Sequence, residues 1–475
     1  MAAPSALQKV PTLKRGIRFR DLVPFYVATV LSVRWTATAA AAGPSILVVW
    51  IASVSCFFLP LAASVMELSS RYPEEGGIYV WTREAFGDFS GFICAWTYWM
   101  CNLPFFASVL YFGAGSALFA FGTRAQVLNA NPLYYMTFAA FWLGAITLIN
   151  IRGVNAGKWL NNICALGVVL PLTALILMAA VSFWRFGPAV RYPPASFVPH
   201  WSLGNAVFWS SVFFAFAGTE SISAMADEIE NPRRTIPWAL LVAGIILTIG
   251  YVGGTAALLV ALPSDAVGGP DGFVNGVHVL SDRLGLTWLL APMALLVALN
   301  AIGGAAGNLS SSARLPFVAG VDRYLPAAFG WVHPRYRTPW VALAVYGGSG
   351  VLVALLGQAG TTVRGAYDVL VSMAIIANFL PYLFLFGAMI KMQRRPVGPE
   401  VRRVLGGRLV AIVLASVGLA STALTIVLSA FPASDDPNKP LAVAKVLGGT
   451  VVLVGTGVAV FLVERRRARS HVVTA

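Results

Sequence analysis

The sequence predicts an all-α polytopic membrane protein, and three observations support this fold class. Of the 475 residues, 58% are hydrophobic and 11% are charged, with a mean hydropathy of +0.76, whereas soluble domains carry about 25% charged residues. Apolar runs of about 20 residues, the length that a helix needs to cross a bilayer core, recur along the whole chain. Lysine and arginine concentrate in alternate connections between these runs. Most of the molecular surface is therefore expected to face lipid.

The apolar runs predict twelve membrane spans. Gly43 and Pro44 separate the first two, which otherwise form one continuous apolar segment. Glycine and alanine are interspersed with leucine and valine in these runs, which favours close packing of helices in lipid. The predicted limits are 22–42, 44–68, 90–120, 132–150, 160–183, 203–226, 238–261, 287–312, 339–357, 367–390, 408–430 and 441–463.

The basic residues predict the orientation of the spans. With the N-terminus in the cytoplasm, 25 of the 33 lysines and arginines lie on the cytoplasmic side, seven lie on the opposite side and Arg34 lies within a span. Cytoplasmic connections accumulate basic residues in this way. Residues 1–20 and 464–475 are therefore predicted to be cytoplasmic tails of a protein in the cytoplasmic (plasma) membrane. Topology then explains the pI of 9.9, and nucleic-acid binding is not predicted.

A charge near the middle of the first span is the first candidate for function. Arg34 stands in the stretch Ser32 to Thr36, inside an apolar run, and an arginine at the centre of a span costs about 2.5–3.5 kcal/mol on insertion scales. Arg34 is therefore predicted to face protein or a water-filled cavity, as an anion site or as one side of a gate ion pair. The structural alternatives are a permanent pair with a carboxylate and a side chain that snorkels to the interface.

The sixth span carries the second candidate, a glycine and a carboxylate just past its middle. Gly218 and Glu220 predict a broken helix, whose exposed carbonyls and amides can hold an ammonium, a carboxylate or a small cation. The alternative is a packing glycine, with Glu220 turned into a cytoplasmic vestibule. Arg34 and Glu220 are opposite charges at membrane depth, so they are also candidates for a mutual ion pair that latches a gate.

Spans 8 and 3 carry polar side chains at helical spacing. In span 3, Tyr98 and Asn102 are one turn apart. These polar groups are predicted either to reach into a cavity or to lie on a tight helix–helix seam without a ligand. In span 8, small and polar residues three and four positions apart form one stripe: Asn300, Gly303, Gly304, Gly307, Asn308, Ser311 and Ser312.

The sequence carries no motif for catalysis, metal binding or a cofactor. Residues Gly153 to Lys158 are one residue short of a phosphate-binding loop and lack the Ser or Thr that follows it. The four histidines lie in predicted connections or in the tail, and the four cysteines lie within apolar runs as small hydrophobes. The prediction is a non-enzyme with no metal and no cofactor. An ion channel is not favoured, because no constriction ring is visible.

Four stretches of the sequence resemble the amino acid–polyamine–organocation (APC) superfamily of permeases. Residues 67–79, ELSSRYPEEGGIY, look like the family's E-L-x-x-x-x-P-x-x-G-G-x-Y segment. Residues 214–220, FAFAGTE, resemble F-x-x-x-G-x-E, and residues 228–237, EIENPRRTIP, resemble E-x-x-N-P-x-R/K-x-I-P. Residues 314–339 are similar to the family's R…D-x-x-L-P…H-P-x-x-x-T-P connection. The resemblance covers residues 15–465.

The resemblance implies a leucine-transporter-like fold in which helices 1 and 6 are broken. Residues 21–183 (spans 1–5) and 201–391 (spans 6–10) would form an inverted 5+5 repeat, and residues 407–463 would add spans 11 and 12. In such permeases the substrate carboxylate meets amides of span 1, and its amine meets carbonyls of span 6. The implied substrate-binding residues are Ser32, Val33, Arg34, Trp35, Thr36, Asn102, Phe216, Ala217, Gly218, Thr219, Glu220, Ser221 and Asn308.

The sequence departs from the family pattern in two places. The usual G-S/T-G-I-F of span 1 is absent, and Arg34 stands where amides normally meet a carboxylate. We therefore hypothesise an acidic or other anionic amino acid as the substrate. The lysine that many relatives carry in the middle of span 5 is also absent. Glu220, Ser311 and Ser312 are the candidates for holding a coupling cation.

The predicted function is secondary active transport of amino acids, related amines or polyamines across the cytoplasmic membrane by alternating access. Proton symport, sodium symport and exchange all stay open, as do the substrate's identity, the direction of transport and the oligomeric state. The predicted partners are a small-molecule substrate and the lipid bilayer. A non-transporting receptor or assembly subunit on the same scaffold is the alternative, which the lack of a large soluble domain in the sequence disfavours.

Overall fold

The computed structural model describes residues 18–72, 77–122, 124–152, 155–200, 202–220, 229–312, 325–336, 338–396, 398, 401–431 and 438–473. Throughout these ranges the regular secondary structure is helical, and no β-strand is formed. A helix satisfies its backbone polar groups within one segment, which is what a lipid environment requires of each apolar run. Of the family motifs, residues 73–76, 228, 314–324 and 337 lie outside the described residues.

The helices are numbered here in chain order. The first seven are α1 Phe19–Val30, α2 Val33–Ala40, α3 Ile46–Arg71, α4 Ile78–Phe86, α5 Asp88–Ala120, α6 Pro132–Arg152 and α7 Asn155–Phe186. The others are α8 Leu203–Phe214, α9 Pro232–Ala261, α10 Gly272–Leu284, α11 Leu290–Ser312, α12 Trp340–Gln358, α13 Val363–Met392, α14 Gly407–Ser429 and α15 Lys439–Val473. α5 is interrupted at Cys101, because Pro104 lacks the amide that would bond to Met100.

Ten helices of the described chain are long and apolar enough to span a membrane, which makes the chain a multi-pass membrane protein. They are α3, α5, α6, α7, α9 and α11 to α15, and they coincide with ten of the twelve predicted spans. The other two predicted spans, 1 and 6, are not continuous helices. α1 and α2 are separated at residues 31–32, and α8 ends at Phe214. The full twelve-span layout stays a prediction.

The centre of the helix assembly is formed by α5 and α13. The most apolar window is 83% buried in α5 and 78% buried in α13, against 22% in α6 and 28% in α15. Peripheral helices expose large apolar side chains, such as Leu409 and Val451, which are 73% and 70% exposed. Large exposed apolar surfaces of this kind mark contact with a membrane or a partner. The central helices hold the polar side chains described below.

Small residues allow α11 to pack closely on two neighbours. A Cβ on Gly167 of α7 would lie 2.6 Å from the backbone oxygen of Leu296 and 2.9 Å from the Cβ of Asn300. A Cβ on Gly113 of α5 would lie 2.9 Å from the Cβ of Ala301. Neither position has room for a side chain. The polar stripe of span 8 therefore lies on a helix–helix seam at Asn300, one of the two outcomes that its spacing predicted.

Candidate functional site

The break in span 1 exposes backbone groups between α1 and α2. α1 ends at Val30, and Ser32 has an extended backbone (φ −138°, ψ 125°) before α2 begins at Val33. Helix ends leave amides and carbonyls without intrahelical partners. The side chains from Val33 to Thr36 are buried in α2. Of the five residues that the sequence predicts here, only Ser32 therefore lies in the break itself.

The break in span 6 is built around Gly218. After α8 ends at Phe214, the chain turns more tightly, and the Ala217 amide donates to the Phe214 carbonyl. Gly218 then takes a φ of +97°, which residues with a side chain rarely adopt. Its amide nitrogen lies 2.9 Å from the Tyr382 hydroxyl oxygen and 3.1 Å from Oε2 of Glu220. The helix is thus broken in the stretch that contains Gly218 and Glu220.

Glu220 joins three spans through its carboxylate. It is buried, with 2% of its surface exposed, so it does not face an open vestibule. The Tyr98 hydroxyl of α5 donates to Oε1 at 2.8 Å, and the Tyr382 hydroxyl of α13 donates to Oε2 at 2.8 Å. Hydrogen bonds to a charged group are shorter and stronger than neutral ones. This cluster therefore holds spans 3, 6 and 10 together.

Arg34 is a buried cation, with 1% of its surface exposed, so it does not snorkel. Its Nη1 donates to Ser108 Oγ of α5 at 2.9 Å, and the guanidinium carbon lies 4.0 Å from the ring centre of Trp35 and 5.2 Å from that of Phe105. Within the described part of the chain, Nε has no hydrogen-bond partner and no carboxylate forms an ion pair with Arg34. The hypothesised pair with Glu220 is therefore not formed in this structure.

Tyr251 of α9 contacts both breaks. Its hydroxyl oxygen lies 2.6 Å from the Val30 carbonyl oxygen, 3.3 Å from the Ser32 amide nitrogen and 3.0 Å from the Ala215 carbonyl oxygen. The first two groups belong to the break in span 1, and the third belongs to the break in span 6. The side chain is fully buried. A single hydroxyl therefore bridges the two discontinuities.

Polar side chains of spans 3 and 8 meet beside these breaks. Asn102 Nδ2 donates to Ser312 Oγ at 3.1 Å and to the Tyr98 carbonyl at 3.3 Å. Asn308 Nδ2 donates to the Gly304 carbonyl at 3.0 Å. Because a hydroxyl oxygen has two acceptor lone pairs, Ser312 keeps acceptor capacity for a further donor or a cation.

The structure brings many of the predicted residues together. Trp35 packs edge-on against Phe214 with ring centres 5.1 Å apart, and Phe216 packs against Tyr251 at 5.4 Å. The Thr219 hydroxyl is buried and has no hydrogen-bond partner among the described residues. Ser221 and the side chain of Ser311 lie outside the described residues.

The sequence pattern does not indicate Ser108, Tyr251 and Tyr382 as site residues. A signal exists for the two tyrosines, because a buried hydroxyl in an apolar span needs a hydrogen-bond partner. That signal does not identify the partner. Tyr251 reaches a residue 219 positions away, and Tyr382 reaches one 162 positions away.

Comparison with known proteins finds similarity to transporters. A family model described as amino acid permease matches residues 19–453. The chain is 28% identical to an uncharacterised transporter of Legionella pneumophila, over 93% of this chain and 95% of the relative. It is 26% identical to a probable agmatine/putrescine antiporter of Lactococcus lactis, over 77% of each. It is 27% identical to a branched-chain amino acid permease of Bacillus subtilis, over 73% of this chain and 75% of the relative.

Proposed function

Because the chain belongs to the amino acid permease family, we propose that it is a secondary transporter of amino acids or related amines that works by alternating access. The observation that carries this proposal is the pair of helix breaks joined by Tyr251. Discontinuous helices near the bilayer midplane are where many secondary transporters bind substrate and coupling ion. The relatives are transporters, which supports transport and not catalysis as the activity, and their differing substrates leave the compound open.

The proposed layout is an inverted repeat with both tails in the cytoplasm. The two breaks fall in spans 1 and 6, which are equivalent positions if residues 21–183 and 201–391 are five-span repeats. Each repeat then contributes one broken helix to a shared site, and residues 407–463 add two further spans. The basic residues support a cytoplasmic location for residues 1–20 and 464–475, in a protein of the cytoplasmic membrane.

The proposed substrate site lies between the two breaks. α2 starts at its break, so its amino end presents partial positive charge, while α8 ends at its break and presents partial negative charge. A substrate carboxylate is therefore favoured on the span 1 side, and an ammonium group is favoured on the span 6 side near the buried Thr219 hydroxyl. Asn102 and Asn308 flank this region.

We propose an anionic amino acid as the substrate because of Arg34. A neutral hydroxyl and two aromatic faces offset only part of the cost of burying a guanidinium. The described residues supply Arg34 with no carboxylate, whereas Glu220 already accepts hydrogen bonds from two tyrosines. A carboxylate carried by the substrate would supply the negative charge that balances the Arg34 guanidinium.

We propose Glu220 as the coupling group. Its protonation would replace charge-assisted hydrogen bonds from Tyr98 and Tyr382 by weaker neutral ones, which would loosen the contact among spans 3, 6 and 10. Ser311 and Ser312 are the alternative oxygen ligands for sodium. Proton symport therefore requires Glu220 to change its protonation state, and sodium symport requires the serine oxygens to bind sodium. Exchange requires neither.

The test is uptake by the purified protein in liposomes. Radiolabelled glutamate, leucine, arginine and putrescine are each offered with a pH gradient, a sodium gradient or internal amino acid. We expect uptake of glutamate and stimulation by one of these conditions, which then identifies the coupling. Uptake of arginine or putrescine in place of glutamate would contradict the anionic substrate. No uptake of any compound by folded protein would contradict transport and favour a receptor or assembly subunit.

A further inference from the structure

The Tyr251 hydroxyl contacts backbone groups that have no helical hydrogen-bond partner at the two helix breaks. Val30 is the last residue of α1, and the Ser32 amide lies between α1 and α2. Ala215 follows the last residue of α8. Backbone groups of this kind are costly to leave unsatisfied at membrane depth. One side chain from a third helix lies within hydrogen-bond distance of such groups at both breaks.

The hydroxyl has one proton for two acceptors. It accepts from the Ser32 amide, and it donates either to the Val30 carbonyl or to the Ala215 carbonyl, which lie 2.6 Å and 3.0 Å away. Rotation about the C–O bond transfers the donated hydrogen bond from one break to the other without moving the ring. The two broken helices can therefore shift relative to each other while the hydroxyl keeps an acceptor.

The ring that carries this hydroxyl is held in place. Tyr251 stacks on Trp50 with ring centres 4.7 Å apart and an interplanar angle of 5°, and Phe216 packs edge-on at 5.4 Å. The Trp50 indole nitrogen donates to Thr255 Oγ1 at 3.0 Å. Because these contacts hold the ring in place, the position of the hydroxyl is fixed relative to α9. Both breaks therefore contact the same fixed oxygen atom.

We infer that Tyr251 is a positioning residue that sets the distance between the two breaks and thereby the geometry of the substrate site. It acts through the backbone of spans 1 and 6 and does not contact the substrate. The inference rests on the proposed function, since the site it positions is the proposed transport site. The bridging itself is a property of the fold and can be measured without transport.

The variant that tests the inference is Tyr251→Phe, which removes the hydroxyl and keeps the ring. Its matched control is Tyr111→Phe, because Tyr111 of α5 is also fully buried but its hydroxyl has no partner among the described residues. We expect Y251F to raise the apparent KM for glutamate, or for leucine if glutamate is not taken up, at least tenfold, with a maximal rate within about threefold of wild type. Y111F should keep both constants within about twofold.

Hydrogen exchange followed by mass spectrometry supplies a readout that needs no substrate. In Y251F we expect at least tenfold faster exchange in peptides that cover residues 30–34 and residues 215–219, and no such change in Y111F. A wild-type KM in Y251F, even with poorer folding or a lower rate, would show a merely structural role and overturn the inference. Unchanged exchange at either break would also overturn it.

A milder variant covers the case in which Y251F does not fold. Thr255→Val removes the partner of Trp50 and so loosens the ring on which Tyr251 stacks. We expect T255V to raise the apparent KM at least threefold and to speed exchange at both breaks, and wild-type values would overturn the inference. If wild-type protein takes up none of the four compounds of the uptake test, the proposed function fails, and the exchange data alone still decide whether Tyr251 joins the breaks.

Discussion

At the scale of single residues, Arg34 poses the electrostatic problem of the site. Its guanidinium is buried at membrane depth against Ser108, Trp35 and Phe105, and a charge in that position needs a counter-charge or water. Arginine keeps its proton at any physiological pH, so deprotonation does not relieve the cost. A ligand that brings a carboxylate does relieve it, and the same ligand would pair with the unused Nε.

We expect Arg34→Gln to lower the kcat/KM of glutamate uptake by about 10–100-fold. The loss corresponds to a hydrogen bond between charged groups, worth about 1.5–3 kcal/mol. The measurement is initial uptake by equal amounts of protein in liposomes. Arg185→Gln, at the exposed end of α7, is the matched control and should transport as wild type. Normal uptake of neutral or cationic amino acids by Arg34→Ala would contradict the anionic substrate.

The sequence indicates charged residues of the site better than neutral ones. Arg34 and Glu220 stand out because charges are rare in apolar runs, and the structure buries both. Ser108 and Tyr382 do not stand out, since serine and tyrosine are common in membrane helices and their role depends on partners 74 and 162 positions away. Pairings at that separation depend on how whole helices pack. A single sequence contains the residues but not the packing.

At the scale of elements, the break in span 6 depends on the backbone of Gly218. A Cβ at this position would meet no atom closer than Val30 Cγ2 at 4.0 Å, so space does not explain the glycine. The φ of +97° does, because an L-residue is strained in this region by about 1–2 kcal/mol. The conformation turns the Gly218 amide toward Tyr382 and Glu220.

We expect Gly218→Ala to reduce uptake about 5–30-fold, which corresponds to about 1–2 kcal/mol of backbone strain in the broken conformation. Gly304→Ala is the matched control. Gly304 lies in α11, has no positive φ and meets no atom within 4 Å of a built Cβ, so its replacement should leave uptake unchanged. Both variants are compared by uptake and by thermal unfolding in detergent. Wild-type uptake by G218A would show that the break does not need this conformation.

A second element-scale feature ties the end of α3 to the connection between α13 and α14. Glu67 is buried, and Arg71 Nη2 donates to its Oε1 at 2.6 Å. Gln393 Nε2 donates to the same oxygen at 2.7 Å, and the Val404 amide donates to Oε2 at 2.9 Å. The first family motif begins at Glu67, so the structure gives this residue a physical role in anchoring a distant connection.

We expect Glu67→Ala to open that connection to trypsin. Removing one partner of a buried ion pair costs about 3–5 kcal/mol, and the connection contains Arg394, Arg395, Arg402 and Arg403. Cleavage there should accelerate at least tenfold, because proteolysis follows the population of locally opened chain. Asp282→Ala, which removes an exposed carboxylate at the end of α10, should leave the cleavage rate unchanged. Equal cleavage rates in both variants would show that Glu67 does not hold the connection.

At the scale of the whole molecule, the apolar runs predict the continuous spans well because length and hydropathy are local properties. Ten predicted spans coincide with long apolar helices. Their boundaries differ from the prediction by up to six residues, except that α15 continues ten residues beyond its predicted end. The exact positions of the breaks are less predictable. α8 ends at Phe214, four residues before Gly218, and span 1 breaks at residues 31–32 without any glycine. Contacts with α9 and α13 compensate for the missing helical hydrogen bonds there, and those contacts are not local.

The orientation of the molecule is the last consequence of the charge pattern, and it can be measured without knowing the substrate. If both tails are cytoplasmic, alkaline phosphatase fused after residue 197 should be active in a bacterial host, because that enzyme needs the oxidising periplasm to form its disulfides. The same enzyme fused after residue 398 should be inactive. An active fusion at 398 and an inactive one at 197 would invert the topology. The Glu67 network would then lie outside the cell, and the basic residues that favour a cytoplasmic location would face the wrong compartment.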